Sequence, residues 1–486
     1  MYKRVPLFIS LIMVFSMILA SCGAPATTAA PATVAPATQA PAPATAAPAT
    51  AAPATAAPAQ IPIRWYVGLG SGGNPEEVKK ENAFVAKFNA ENPQYKLTID
   101  IVVNAVAYDV LKTQIASGDA PDIVGPLGIR GFSSFQGAWL DMAPYATKYK
   151  FDYSGYDASM LTFLTAGNQG TLGLPFAIYP SALWYNKDLF DEAGLNYPPH
   201  KVGDKYKMPD GTMVDWNFDT LRTVAMMLSL DDKGNTPDKP GFNPAKQQQW
   251  GYDAMWTDLR GQWTFFGAGS FVADDGKTAQ LPAVWKTAAH WYYDGMWKDH
   301  FIPTGTFVNS DYLAQGNTFA SGHVAMTPIH TWYINNSQKV KWDLAAIPSF
   351  NGNTTAKMHA DTFGILKTAK NPDASFQVLS IFMQKYTLPL ADCYGAFPAA
   401  TALQASQLKV WQTAWPGVDF QVFIDDVAYA DHPNHESAMP NFDKASSTYT
   451  TFYQLYTTKS GLDLDAELAK LVTNMQTVFD QMKPIQ

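Results

Sequence analysis

The chain has 486 residues, more than the ~250–300 that one hydrophobic core usually serves, so two packed bodies are expected. A formal net charge of -8 argues against nucleic acid as a partner. Aromatic residues make up 13% of the chain, with 14 Trp, enough to supply both a core and a ligand surface.

Lys3 and Arg4 precede an apolar run from Val5 to Leu19 that is too short to read as a spanning helix. It ends in Leu19-Ala20-Ser21-Cys22, which resembles the lipobox of bacterial lipoproteins. Residues 1–22 therefore read as a signal peptide ending at a lipidated Cys22, anchored at roughly 0.8 kcal/mol per buried methylene. The chain has only one other Cys, Cys393, so with Cys22 lipidated no intrachain disulfide is expected and Cys393 reads as a small buried residue. Residues 23–60 are almost entirely Ala, Pro and Thr, which offer no apolar period. They read as a tether, extended at ~3.1 Å per residue and reaching up to ~100 Å.

Ile61, Ile63, Trp65 and Val67 alternate as in a strand. Asn74-Pro75-Glu76-Glu77 starts a helix: a capping residue, Pro at the first helical position, acids in the first turn. Leu97, Ile99, Ile101 and Val103 form a second strand, residues 105–116 a second helix, and Pro121 to Val124 a short buried strand. Strands alternating with helices imply a parallel sheet covered on both faces, with ligand beyond the carboxyl ends of its strands. The loops to watch are then 68–74, 125–131 and the one after Phe176. The run from Tyr179 to Asp188 reads as a strand end turning into a helix that stops near Ala193-Gly194. Residues 200–215 carry a Pro209-Asp210-Gly211 turn and read as a small hairpin. Helices follow at about 218–230 and 282–297. The loop Asp231-Asp232-Lys233-Gly234-Asn235 lacks the Glu of a calcium loop and reads as solvated.

Several strings in order resemble the family 1 extracellular solute-binding proteins of ABC importers, the group that includes maltodextrin-binding proteins. They are Ser117 to Val124, Gly173-Leu174-Pro175, Leu183 to Leu195, Phe319 to Met326 with Trp332 after it, Phe363 to Leu366, and Lys370 to Ala374. The chain departs from the pattern at the 200–215 insertion and at His323, where a Lys is usual. It departs again at His359-Ala360-Asp361-Thr362, where many members have paired glycines.

The resemblance implies a two-lobed α/β fold, each lobe a mostly parallel sheet flanked by helices, with a hinge and an interlobe ligand cleft. One lobe would hold residues 61–178 plus about 362–411, the other 179–361 plus about 412–486. It also implies an extracytoplasmic receptor that closes on a mono- or oligosaccharide and hands it to the permease's transmembrane subunits. That receptor is read as a monomer that uses neither cofactor nor metal.

A sugar site needs aromatic platforms for its C–H faces and bidentate polar groups for its hydroxyls. Trp65 lies in phase with the apolar face and reads as core, whereas Tyr66 points the other way and is a candidate. Positions that carry ligand contacts in the family add Arg130 after the third strand and Tyr179 at the first crossing between lobes. They also add Asp258, Gln262 and Trp263 in the stretch from Trp256 to Phe266, the platform Trp332, Asp361 at the last crossing, and Tyr449. No Gly-x-Ser-x-Gly, His-Glu-x-x-His or phosphate loop is present. Asp253, Asp258 and Asp361 show no spacing that pairs them as a glycosidase requires, so a binding protein is read ahead of an enzyme. The same fold holding a polyamine or a phosphorylated polyol is the alternative ligand reading, and a lipid-anchored glycosidase the further one.

Overall fold

The computed structural model describes residues 59–481, apart from 71–72, 157–159, 162–163, 165–169 and 337–338. The lipobox, Cys22 and the tether up to residue 58 lie outside the described residues. No helix among the described residues is long and apolar enough to cross a membrane.

Among the described residues twelve strands form, in chain order: β1 (Ile61–Val67), β2 (Tyr95–Ile101), β3 (Ile123–Leu127), β4 (Leu174–Asn186), β5 (Lys205–Lys207), β6 (Met213–Asp215), β7 (Leu230–Asp231), β8 (Gln247–Gln249), β9 (Met326–His330), β10 (Trp342–Ala345), β11 (Met358–Ile365) and β12 (Phe397–Pro398). The main sheet runs β10-β4-β11-β3-β1-β2, and β12 and β9 also pair with β4. Among the described strands of this sheet, only β2, β1 and β3 pair in parallel. Every pairing made by β4 and β11 is antiparallel, which corrects the expectation of a mostly parallel sheet in each lobe.

The first strand and helix form for the reasons their sequence gives. Strand parity sends Trp65 and Tyr66 into separate cores on opposite faces of β1. The helix Pro75–Glu91 begins with a capping box, in which the Asn74 side chain accepts from the Glu77 amide while Glu77 reaches back. Its Phe84 and Phe88 pack edge-on to Phe382, and Phe84 also meets Trp65.

The thirteen-residue β4 is buried along its whole length. Its first half lies between β11 and β12, its second half between β9 and β10. The change of partner falls at Pro180 and Ser181: Met358 pairs with Pro180, and His330 with Ser181. Pro180 has no N–H to give a ladder, so the handover falls where a bond is missing in any case. β4 thus continues through Phe176, and the loop expected after that residue is not there. One large core gathers Leu183, Tyr185 and many of the aromatic residues from Trp216 to Phe301 and from Phe442 to Phe479, while another gathers residues between Ile63 and Tyr179 with others from 363 to 396. The 200–215 insertion is a hairpin, β5 pairing with β6, and Cys393 is buried. In the loop read as solvated, the Asp231 carboxylate accepts from the Lys233, Asn235 and Asn243 amides. It is thus filled by its own loop.

Candidate functional site

A cavity of about 720 Å³ opens between the ends of these elements. The loop after β1 supplies Leu69, Gly70 and Gly73, and the loop after β3 supplies Gly128 and Arg130. These are two of the three loops the strand pattern singles out. The sheet contributes Tyr179 from β4 and His359 and Asp361 from β11. The other wall is built by Trp256 to Asp258, Arg260, Trp332, His435, Glu436 and one face of the helix Phe442–Thr458.

Of the residues named from sequence, Arg130, Tyr179, Asp258, Trp332, Asp361 and Tyr449 line this cavity. Three do not. Tyr66 is fully buried, and its hydroxyl donates to the Ala107 carbonyl at 2.7 Å, because helices cover both faces of β1. Trp263 is 0% exposed, edge-on to Phe271, Trp285 and Phe452 in the large core. Gln262 is buried and spends its amide on the Ala254 carbonyl and the Tyr453 hydroxyl.

Trp332 stacks on Trp256 with ring centroids 5.7 Å apart and planes 12° from parallel. Trp256 is 45% exposed and sits at φ 52°, a conformation that bulky residues adopt only when the surroundings hold them. Its signal in the sequence was its place at the head of the stretch already singled out. Arg130 lays its guanidinium 4.5 Å over the Tyr108 ring, and among the described residues it has no ion-pair partner. Its charge is therefore free for a ligand.

Asp258 is fixed from three sides. It caps the helix Leu259–Trp263 through the Gly261 amide, takes two bonds from Arg260 at 2.9 and 3.1 Å, and accepts from the Tyr449 hydroxyl at 2.8 Å. Burial would raise its carboxyl, but Arg260, His435, the Gly261 amide and Tyr449 outweigh burial and bring it down to about 2. Arg260 is 3% exposed, and its Nη1 is buried with no hydrogen-bond partner among the described residues. Beneath this wall, burial lowers the Lys357 ammonium to about 8, and its Nζ donates to Thr257.

At the β11 side the charges separate. Burial pushes the Asp361 carboxyl up to about 7, with Glu436 adding to the rise and His359 opposing it. Burial works the same way on Glu436, but His359, His435 and Arg260 overcome it and hold that carboxyl well below the usual range. His359 Nδ1 lies 3.3 Å from Glu436 Oε2. Gly128 faces both acids: a Cβ there would stand 3.3 Å from Glu436 and 3.4 Å from Asp361. His435 and Glu436 were not found from sequence, since they sit in an irregular polar stretch with no period or motif.

A half-open cavity walled by stacked tryptophans and oriented charged groups, in a mixed α/β body with more than one core, fits a two-lobed solute-receptor fold. Residues 72–382 match the family of bacterial extracellular solute-binding proteins, and the chain belongs to that family. A binding protein of Brucella abortus is 26% identical over 325 residues, 64% of this chain and 68% of that protein. The ABC substrate-binding protein of Listeria monocytogenes in complex with cycloalternan is similar in structure, at TM-score 0.68 and 20% identity over 87% of this chain and all of that one. The maltose/maltodextrin-binding domain of Bdellovibrio bacteriovorus bound to maltotriose matches at TM-score 0.63 and 16% identity, over 87% of this chain and 99% of that one.

Proposed function

We propose that this chain is the saccharide receptor of an ABC importer, anchored outside the cytoplasm through a lipidated Cys22. It binds a mono- or oligosaccharide reversibly and passes it, as a monomer, to the permease's transmembrane subunits. The observation that carries the reading is the Trp256–Trp332 pair at a cavity that also presents Arg130, Arg260 and Asp361. Such a wall offers flat apolar faces to sugar C–H groups and directed polar groups to hydroxyls. The oligosaccharides held by the Listeria and Bdellovibrio proteins support the same ligand class. We assign residues 61–178 with about 362–411 to one lobe, and 179–361 with about 412–486 to the other. Closure is favoured because only the closed state brings both sets of groups to the ligand.

The test is a saccharide panel titrated into the purified chain while tryptophan fluorescence and product formation are both followed. Saturable quenching with the sugar recovered intact is the expected result. The separated carboxyls of Asp361 and Glu436 give a glycosidase the electrostatics it needs. Steady turnover that Asp361→Asn abolishes would therefore overturn the receptor reading in favour of an enzyme.

A further inference from the structure

We propose that His359, His435 and Glu436 form a binding site for a divalent transition-metal ion on the wall of the cavity. The three offer ligand atoms that all lie within 4.8 Å of one another. Two imidazoles and one carboxylate are the donor set of open, four-coordinate zinc sites, in which the remaining position is left to a water or a ligand oxygen. Bonds of about 2.0–2.1 Å place tetrahedral donors about 3.3 Å apart, so side-chain shifts of about an ångström gather the three onto one ion. The His359–Glu436 pair is already at 3.3 Å.

The support behind these donors is what separates a metal site from a chance cluster. His435 is buried, and its Nδ1 donates to the Asp431 carboxylate at 2.7 Å. That bond fixes the tautomer and leaves Nε2 as a bare lone pair, the carboxylate–histidine arrangement that orients metal ligands. Asp431 is itself held by the Met358 amide, at the start of the strand that carries His359. The two histidines are thus set from one carboxylate, and their rings lie 4.9 Å apart. Close by, 4.3 Å from the His359 ring, the buried His330 donates Nδ1 to the Tyr179 carbonyl, and its Nε2 has no partner among the described residues. Because His359, His435 and Glu436 all line the cavity, the open coordination position faces the cavity's own ligand.

Calorimetric titration of Zn²⁺ into the full chain, with no saccharide present, tests the site. One ion should bind per chain, and Co²⁺ in its place should give visible d–d absorption with nitrogen ligation. His359→Ala and His435→Ala should each weaken Zn²⁺ by about 100-fold or more. Asp431→Asn, which changes only a positioning residue, should cost about 10–100-fold. Should a change at a buried position prevent folding, His359→Ala together with Glu436→Gln decides the matter, since both side chains are partly exposed. Wild-type protein that binds no Zn²⁺ at roughly millimolar concentration overturns the site, as does a His359→Ala/Glu436→Gln variant that binds as wild type does. A chain that binds sugar but no Zn²⁺ sinks this proposal alone, and one that binds Zn²⁺ but no sugar sinks the saccharide reading alone.

Discussion

Trp263 and Trp332 are the same residue under different forces. Trp263 is sealed in the large core, so Trp263→Ala should cost about 3–5 kcal/mol of stability and leave the affinity of the folded fraction unchanged. Trp332 is partly exposed at the cavity, so Trp332→Ala should cost about 2–4 kcal/mol of saccharide binding, roughly 30- to 1000-fold, and less in folding. Urea unfolding and sugar titration on both variants check the pair; matching profiles would refute the distinction. Sequence could not separate the two, because an aromatic side chain suits core and platform equally. Strand parity did separate Trp65 from Tyr66, but a sheet covered on both faces buries each. Asp361 carries a pH dependence. Its carboxyl is raised from 3.8 to about 7, so its contribution to stability is full below pH 3.8 and is lost as pH climbs through about 7. Asp361→Asn escapes that loss. Its stability relative to wild type should grow by about 2–3 kcal/mol from pH 5 to pH 8, measured by urea unfolding at both. Parallel pH profiles would show that Asp361 is not the group responsible.

The elements from β1 to β3 were legible because each is set by its own residues: an alternating strand, a capping box, a glycine at φ 77° that ends the second helix at Gly118. The order of the sheet was not legible. β11 enters between β3 and β4 from far along the chain, and nothing local in either strand names the other. Glycine positions show how steric and conformational demands differ. Gly68, which follows β1, has φ 138°, and a Cβ there would meet the Val102 carbonyl oxygen at 2.1 Å. Gly68→Ala should therefore cost more than about 2 kcal/mol, because the backbone must move as well as bear the strain. Gly203 has φ 89° but nothing within 4 Å of its Cβ position, so Gly203→Ala should cost only about 1 kcal/mol. Equal losses by urea unfolding would mean that the contact at Val102 relaxes freely.

For the whole molecule, family and architecture were readable because many short strings recur in order along the chain. The composition of the cavity was less so, since His435 and Glu436 reach it from a loop with no pattern of its own. A saccharide at ~100 times its dissociation constant should add about 2.7 kcal/mol of stability, seen as a thermal shift. Cys22→Ala should release the chain from the membrane fraction or leave it as precursor; a variant that stays membrane-bound at its mature mass would refute the anchor. The handover at Pro180 bears on how the body comes apart. One continuous strand gives its first half to one set of partners and its second half to another. If either set were to melt by itself, half of β4 would be stripped of its ladder while the other half stayed paired. The strand thus ties the two melting events together, and scanning calorimetry should show a single endotherm whose calorimetric and van't Hoff enthalpies agree.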